Sequence, residues 1–225
     1  MRELQARALS AAVIVPAAIV LIWTGGWVLD LLLLAAVLVM LYEWHRLVQG
    51  FARRERLIAL LLGAGVITVS ALSAHALRAA PYGLDLLAWL VLLVAATDVG
   101  AYAAGRSIGG PKLAPRISPK KTWAGFFGGL AAAVAVTVIC ALWAGRLTAE
   151  PLIVAAGLSV VAQIGDLLES WCKRRAAIKD SGHLIPGHGG ALDRLDGFLT
   201  AAPALWIYHV GFGGGLRLDL PPGPF

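Results

Sequence analysis

Apolar residues gather into seven runs along the chain, at 8–24, 27–42, 57–74, 82–97, 125–144, 151–165 and 198–214, with polar and charged stretches between them. Each run predicts a membrane-crossing helix, because backbone N–H and C=O groups in hydrocarbon have no water partner and a helix satisfies them internally. Several runs fall short of the roughly 20 residues that cross a bilayer core. The fourth, sixth and seventh are therefore expected to borrow polar residues at their ends. The expected fold is an all-α polytopic membrane protein with about seven transmembrane helices.

Composition agrees with that pattern. The 225 residues are 59% hydrophobic and 14% charged, and the mean hydropathy of +0.79 lies outside the range of soluble globular domains. The first run follows Arg2 and Arg7 as a signal peptide would, but Thr24, Gly25, Gly26 and Trp27 offer no small-residue cleavage site, so it is read as a retained anchor. Cys140 sits in the fifth run and Cys172 in a charged segment, and both are expected to be free thiols.

Lysine and arginine set an orientation. Arg2 and Arg7 precede the first run, and Arg46, Arg53, Arg54 and Arg56 follow the second. Arg106, Lys112, Arg116, Lys120 and Lys121 follow the fourth, and Lys173, Arg174, Arg175, Lys179 and Arg194 follow the sixth. The opposite side keeps only Arg78, Arg146 and Arg217. The N-terminus and the polar loops are thus expected on the cytoplasmic face of an integral membrane protein, a bacterial inner membrane if the source is bacterial. The net charge of +6 is a sided charge, suited to anionic headgroups and phosphates. No aromatic-interleaved basic groove points to nucleic acid.

Against this background the stretch 166–197 stands apart, for it holds Asp166, Glu169, Asp180, Asp193 and Asp196 among the chain's 13 acids, together with His183 and His188. Asp98 joins them at the end of the fourth run. Asp166, Glu169 and Ser170 stand at i, i+3 and i+4, and Asp193 and Asp196 at i and i+3, so each set shares a helix face. Carboxylates converging at a membrane boundary repel and lose hydration, which a bound divalent cation relieves. Oxygen ligands that share their ion with substrate phosphates suit magnesium. Ion pairing with Lys173, Arg174 and Arg194 is the plainer alternative; acids on two different helices favour the cation.

Two loops offer phosphate chemistry. Lys179, Asp180, Ser181 and Gly182, then Pro186, Gly187, His188, Gly189 and Gly190, combine basic groups with glycines that let backbone N–H groups approach an anion. A Walker loop is absent. His188 suits a proton shuttle or a phosphate contact, His183 an ordinary loop position. The basic turn Ser118, Pro119, Lys120, Lys121, Thr122 and Trp123 precedes the fifth run, where Ser118 is the expected N-cap. It reads either as a positive-inside anchor with an interfacial tryptophan or as a phosphate site at a helix N-terminus.

The residues Ser170, Lys173, Arg174, Lys179, Asp180, Gly182, Pro186, Gly187, His188, Gly189, Gly190, Asp193, Arg194 and Asp196 closely resemble the motif of the phosphatidate cytidylyltransferase family, the CDP-diacylglycerol synthases. Gly165, Asp166, Leu167 and Glu169, and the separate stretch 118–125, resemble the same family in the same order, with Glu43 and Trp44 a weaker match upstream. The resemblance implies a nucleotidyltransferase in which the phosphate of phosphatidate attacks the α-phosphorus of CTP, releasing pyrophosphate with no covalent enzyme intermediate. It implies one integral-membrane domain over 1–225, with N-terminal helices in 1–97, a catalytic half in 98–214 and a tail in 215–225. It assigns magnesium to Asp166 and Asp193, with Asp196 supporting them or holding a second cation. Lys173, Arg174, Lys179 and Arg194 would meet the triphosphate, helped by Gly189 and Gly190, while Ser118, Lys120, Lys121 and Thr122 would meet a phosphate of either substrate. Asp180 would position a lysine or a cation. Phosphatidate or a related anionic lipid, CTP and the membrane are the implied partners, and a homodimer is among the allowed assemblies. Cys172, Ala124 and Gly197 depart from the family pattern without removing a proposed ligand.

Other classes remain open on sequence grounds. The same site would serve a CTP-dependent enzyme acting on an ether lipid or phosphorylating a polyprenol. A cation-coupled transporter would place its acids in mid-helix, and a catalytically dead subunit would tolerate their loss.

Overall fold

The computed structural model describes residues 23–145, 147–178, 181–182 and 190–212. Among these residues six helices carry the fold: α1 (Gly26–Val48), α2 (Arg53–Ala79), α3 (Gly83–Ser107), α4 (Trp123–Trp143), α5 (Ala149–Arg175) and α6 (Leu192–Gly211). The five from α1 to α5 are long and apolar enough to cross a membrane. They correspond to the second through sixth apolar runs. As expected, α3 and α5 reach full length by extending past their apolar runs, through Asp98 to Ser107 and through Asp166 to Arg175. The seventh run lies in α6, which starts earlier, at Leu192. Most of the first run, Arg146 and the tail from residue 213 lie outside the described residues.

One connection departs from an all-helical chain. Between α3 and α4 the backbone forms a two-stranded antiparallel ribbon, β1 (Lys112–Ala114) against β2 (Ser118–Thr122), with Lys112 opposite Thr122 and Ala114 opposite Ser118. Ser118 therefore opens a strand and does not cap α4. The cap is Thr122, whose hydroxyl accepts the Gly125 N–H at 3.0 Å, because that residue is the last extended position before the helix turns.

Helices α3 and α4 pack backbone to backbone. A Cβ at Gly100 would stand 2.6 Å from the Gly128 carbonyl oxygen, and one at Gly128 would stand 2.8 Å from that of Gly100. Lipid supplies no hydrophobic drive between helices, so this close approach supplies dispersion contact instead. Buried hydrogen bonds fasten the same region: Trp89 Nε1 donates to Thr137 Oγ1 at 3.1 Å, and Thr97 Oγ1 donates to Leu93 O at 2.9 Å and lies 3.1 Å from Ser159 Oγ. Around them Leu86, Trp89, Leu90, Leu93, Ala162 and Leu205 form one core. A second core, of Met40, Trp44, Leu47, Ile67, Leu192 and Leu199, joins α1 and α2 to the start of α6. Large apolar side chains such as Trp27, Leu62 and Ile153 point outward, the surface a lipid-facing bundle presents.

Candidate active site

The C-terminal half of α5 carries Asp166, Glu169, Ser170 and Lys173, spaced so that all four share one helix face. The first turns of α6 bring Asp193 and Asp196 against it. Oxygen atoms of Asp166, Glu169 and Asp196 lie within 4.8 Å of one another. The Glu169 side chain is only 8% exposed, and its Oε1 is buried without a hydrogen-bond partner. Burying such an oxygen unpaired is costly. A hard divalent cation of the magnesium type, which takes carboxylate oxygens and keeps sites for phosphate, matches this donor set and would satisfy the orphaned atom.

Asp193 is engaged by a lysine and two backbone donors. Its Oδ1 accepts a hydrogen bond from Lys173 Nζ at 2.7 Å, and Lys173 also reaches Glu169 Oε2 at 2.9 Å. Its Oδ2 accepts the backbone N–H groups of Ser181 at 3.1 Å and Gly190 at 3.0 Å. Burial works against a charge at this carboxyl, and the Lys173 ammonium and the two N–H donors offset it. Asp196 instead faces the carboxylates of Asp166 and Glu169. Its Oδ1 accepts the Gly197 N–H at 2.7 Å. The two aspartates of one helix turn thus face different partners, Asp193 a lysine and two backbone donors, Asp196 the carboxylates of Asp166 and Glu169.

The ribbon closes the site from the side. Lys121 pairs with Asp166 Oδ2, and Arg174 Nε donates to Ile117 O at 3.2 Å, tying the hairpin to the end of α5. Asp98, on α3, lies within electrostatic reach of Asp166, Lys121 and Arg194. Lys120 is exposed, Ser118 is half-buried, and Thr122 is buried with its hydroxyl engaged in the α4 cap. Lys179, Asp180, His183, His188 and Gly189 lie outside the described residues.

Geometry therefore joins Asp166, Asp196, Lys121, Lys173 and Asp193, and adds Glu169, which spacing placed on the right face without singling it out as a ligand. A further participant, Glu43, lies on α1 and meets the start of α6 from 148 residues away; its only sequence signal was the weak upstream match.

Beside the acids opens an apolar cavity of about 590 Å³, lined among others by Ile58, Leu62, Val66, Leu168 and Leu199 and bounded by Glu169 and Asp196. Its walls suit hydrocarbon and its end suits a charged headgroup.

Comparison with known proteins supplies independent findings. A model described as the Cytidylyltransferase family matches residues 49–212. The chain is 38% identical over an alignment of 274 positions to a protein of Brucella suis named phosphatidate cytidylyltransferase, covering 100% of this chain and 99% of that one. A Rickettsia bellii protein of the same name is 35% identical, with 92% of this chain and 91% of the relative covered. A Bacillus subtilis protein of that name is 44% identical over 128 residues, covering 56% of this chain and 48% of the relative.

Proposed function

The chain belongs to the cytidylyltransferase family, and from that membership we propose that it transfers CMP from CTP to phosphatidate, giving CDP-diacylglycerol and pyrophosphate. A phosphate oxygen of the lipid forms the new bond to the α-phosphorus of CTP, and the bond from that phosphorus to the β-phosphate oxygen breaks. The chain needs no nucleophile of its own, since the lipid brings one. What it must supply is alignment and charge neutralisation for two anions.

The observation that carries this reading is the group Asp166, Glu169 and Asp196, set between two lysines and an apolar cavity. These three carboxylates would hold a divalent cation, magnesium by its hard-oxygen preference. Bound there, the cation would neutralise phosphate charge and polarise the α-phosphoryl group. Lys121, on the ribbon, is placed to exchange its carboxylate partner for a phosphate oxygen. Lys173 keeps Asp193 and Glu169 together, and Asp193 fixes the backbone at Ser181 and Gly190. Asp193 would organise the loop through these bonds and remains in the expected cation set, which Glu169 joins. The cavity would take hydrocarbon of the lipid with its phosphate at the acids.

The arrangement of lysines and arginines supports a cytoplasmic site, where CTP is available. The apolar run at 8–24 and α6 would complete seven spans. To test the function, purified protein is given CTP, magnesium and a panel of lipid acceptors, and the lipid product is identified by mass. CDP-diacylglycerol from phosphatidate is expected, and Asp196→Asn should abolish it. A phosphorylated lipid without CMP, or no lipid product from wild type, overturns the proposal.

A further inference from the structure

Glu43 is among the most buried ionisable groups of the described residues, 1% exposed on α1 in the apolar core. A carboxylate there is expensive unless its oxygens are satisfied. Both are: Oε1 accepts the N–H of Ala191 at 3.0 Å, and Oε2 accepts that of Leu192 at 2.9 Å. These are backbone donors at the start of α6, left unpaired by helix geometry. The N-cap residue of α6 is Ala191, which has no capping side chain. Glu43 therefore does across the bundle what Ser, Asp or Asn does within a chain, and its charge also meets the positive end of the helix.

The surrounding backbone is shaped to admit it. A Cβ at Gly182 would stand 2.6 Å from Glu43 Oε1, and one at Gly190 would stand 2.7 Å from Oε2. Only glycine lets both loop segments close over the carboxylate. One residue beyond Leu192, Asp193 binds Ser181, Gly190 and Lys173, and one turn beyond that Asp196 meets Asp166 and Glu169. Glu43 itself lies outside residues 49–212, the part that matches the family model.

We propose that Glu43 is a positioning residue for the transferase site: as a cap supplied from α1, it sets the start of α6 so that Asp196 completes the cation-binding group with Asp166 and Glu169. The inference rests on the cation reading above. Its mechanical half, the capping of α6, stands apart from that reading and is measured separately.

The test compares wild type with Glu43→Ala and Glu43→Gln in detergent-purified full chain. Three quantities are read: Mn2+ affinity by titration without nucleotide, the magnesium dependence of pyrophosphate release, and amide exchange in the peptide containing residues 191 and 192. Glu43→Ala is expected to weaken Mn2+ binding and raise the magnesium requirement by about tenfold, with exchange at the start of α6 accelerated by a similar factor, as loss of a helix cap would give. Glu43→Gln keeps one acceptor oxygen and the side-chain volume, and should fall between. It also decides the matter if the alanine variant does not fold. A variant that melts at lower temperature yet keeps wild-type Mn2+ affinity and magnesium dependence overturns the proposal, because Glu43 is then only structural. Unchanged exchange at 191 and 192 overturns it as well. If wild type itself binds no Mn2+, the cation reading fails and with it the link to Asp196, while the exchange data still show whether Glu43 caps α6.

Discussion

Gly165, next to Asp166 on α5, lies directly against α6 beside the site. A Cβ added there would run into Thr200 Oγ1, and would stand 2.9 Å from Thr200 Cγ2 and 2.7 Å from the carbonyl oxygen of Asp196. Ordinary contact between such atoms begins near 3.4 Å, so Gly165→Ala must part the helices by roughly 0.7–1 Å. Overpacking of this kind costs about 1–3 kcal/mol, which a bundle of this size should survive. The site should not. Asp166 and Glu169 move with one helix and Asp196 with the other, and magnesium demands oxygen distances near 2.0–2.1 Å. A displacement of about 1 Å in a reacting arrangement is expected to lower turnover by roughly 100-fold. The assay pairs pyrophosphate release at saturating CTP with Mn2+ titration and a melting curve. Gly157→Ala is the control, since it lies on the same helix and its Cβ would meet nothing within 4 Å; it should be active and, through helix propensity, stabilised by up to about 1 kcal/mol. Adding Thr200→Ala to Gly165→Ala removes the side-chain clash but leaves the carbonyl contact, so part of the activity should return. Wild-type turnover and Mn2+ affinity in Gly165→Ala would show that the spacing of these helices does not control the site.

Two further outcomes follow from the charged groups. Lys121→Ala removes the ribbon's cation from Asp166; losing one charge-assisted phosphate contact should raise the KM for CTP by about tenfold or more in steady-state kinetics, and an unchanged KM would remove Lys121 from the nucleotide site. Asp193→Ala removes the acceptor shared by Lys173 Nζ and the N–H groups of Ser181 and Gly190, and leaving these donors unpaired should cost about 1–3 kcal/mol. The Tm of Asp193→Ala should therefore fall by roughly 2–12 °C; an unchanged Tm would mean that Asp193 does not hold these groups.

Legibility differed from element to element. Helices α1 to α5 followed from apolar runs because a membrane leaves the backbone no other choice. The ribbon did not, since the basic turn around Pro119 carries no alternating pattern, and its pairing depends on bonds from Lys112 to Thr122 that only the closed hairpin makes. Assigning the cap to Ser118 failed for the same reason: any hydroxyl near the start of α4 fits, and the extended conformation of Thr122 selects that one.

The acids show most clearly where one kind of information ends. Residue order alone put Asp166 and Glu169 on one helix face and Asp193 and Asp196 on another, and the polar residues in an apolar chain marked the place, because burying them demands compensation. Spacing says nothing of how far α6 is rotated against α5. In the folded chain α6 contacts Gly165 and Glu43, with Asp196 turned to Asp166 and Glu169 and Asp193 to Lys173. Partners so distant along the chain leave no local periodicity to read, so the different partners of two aspartates three residues apart belong to the tertiary structure.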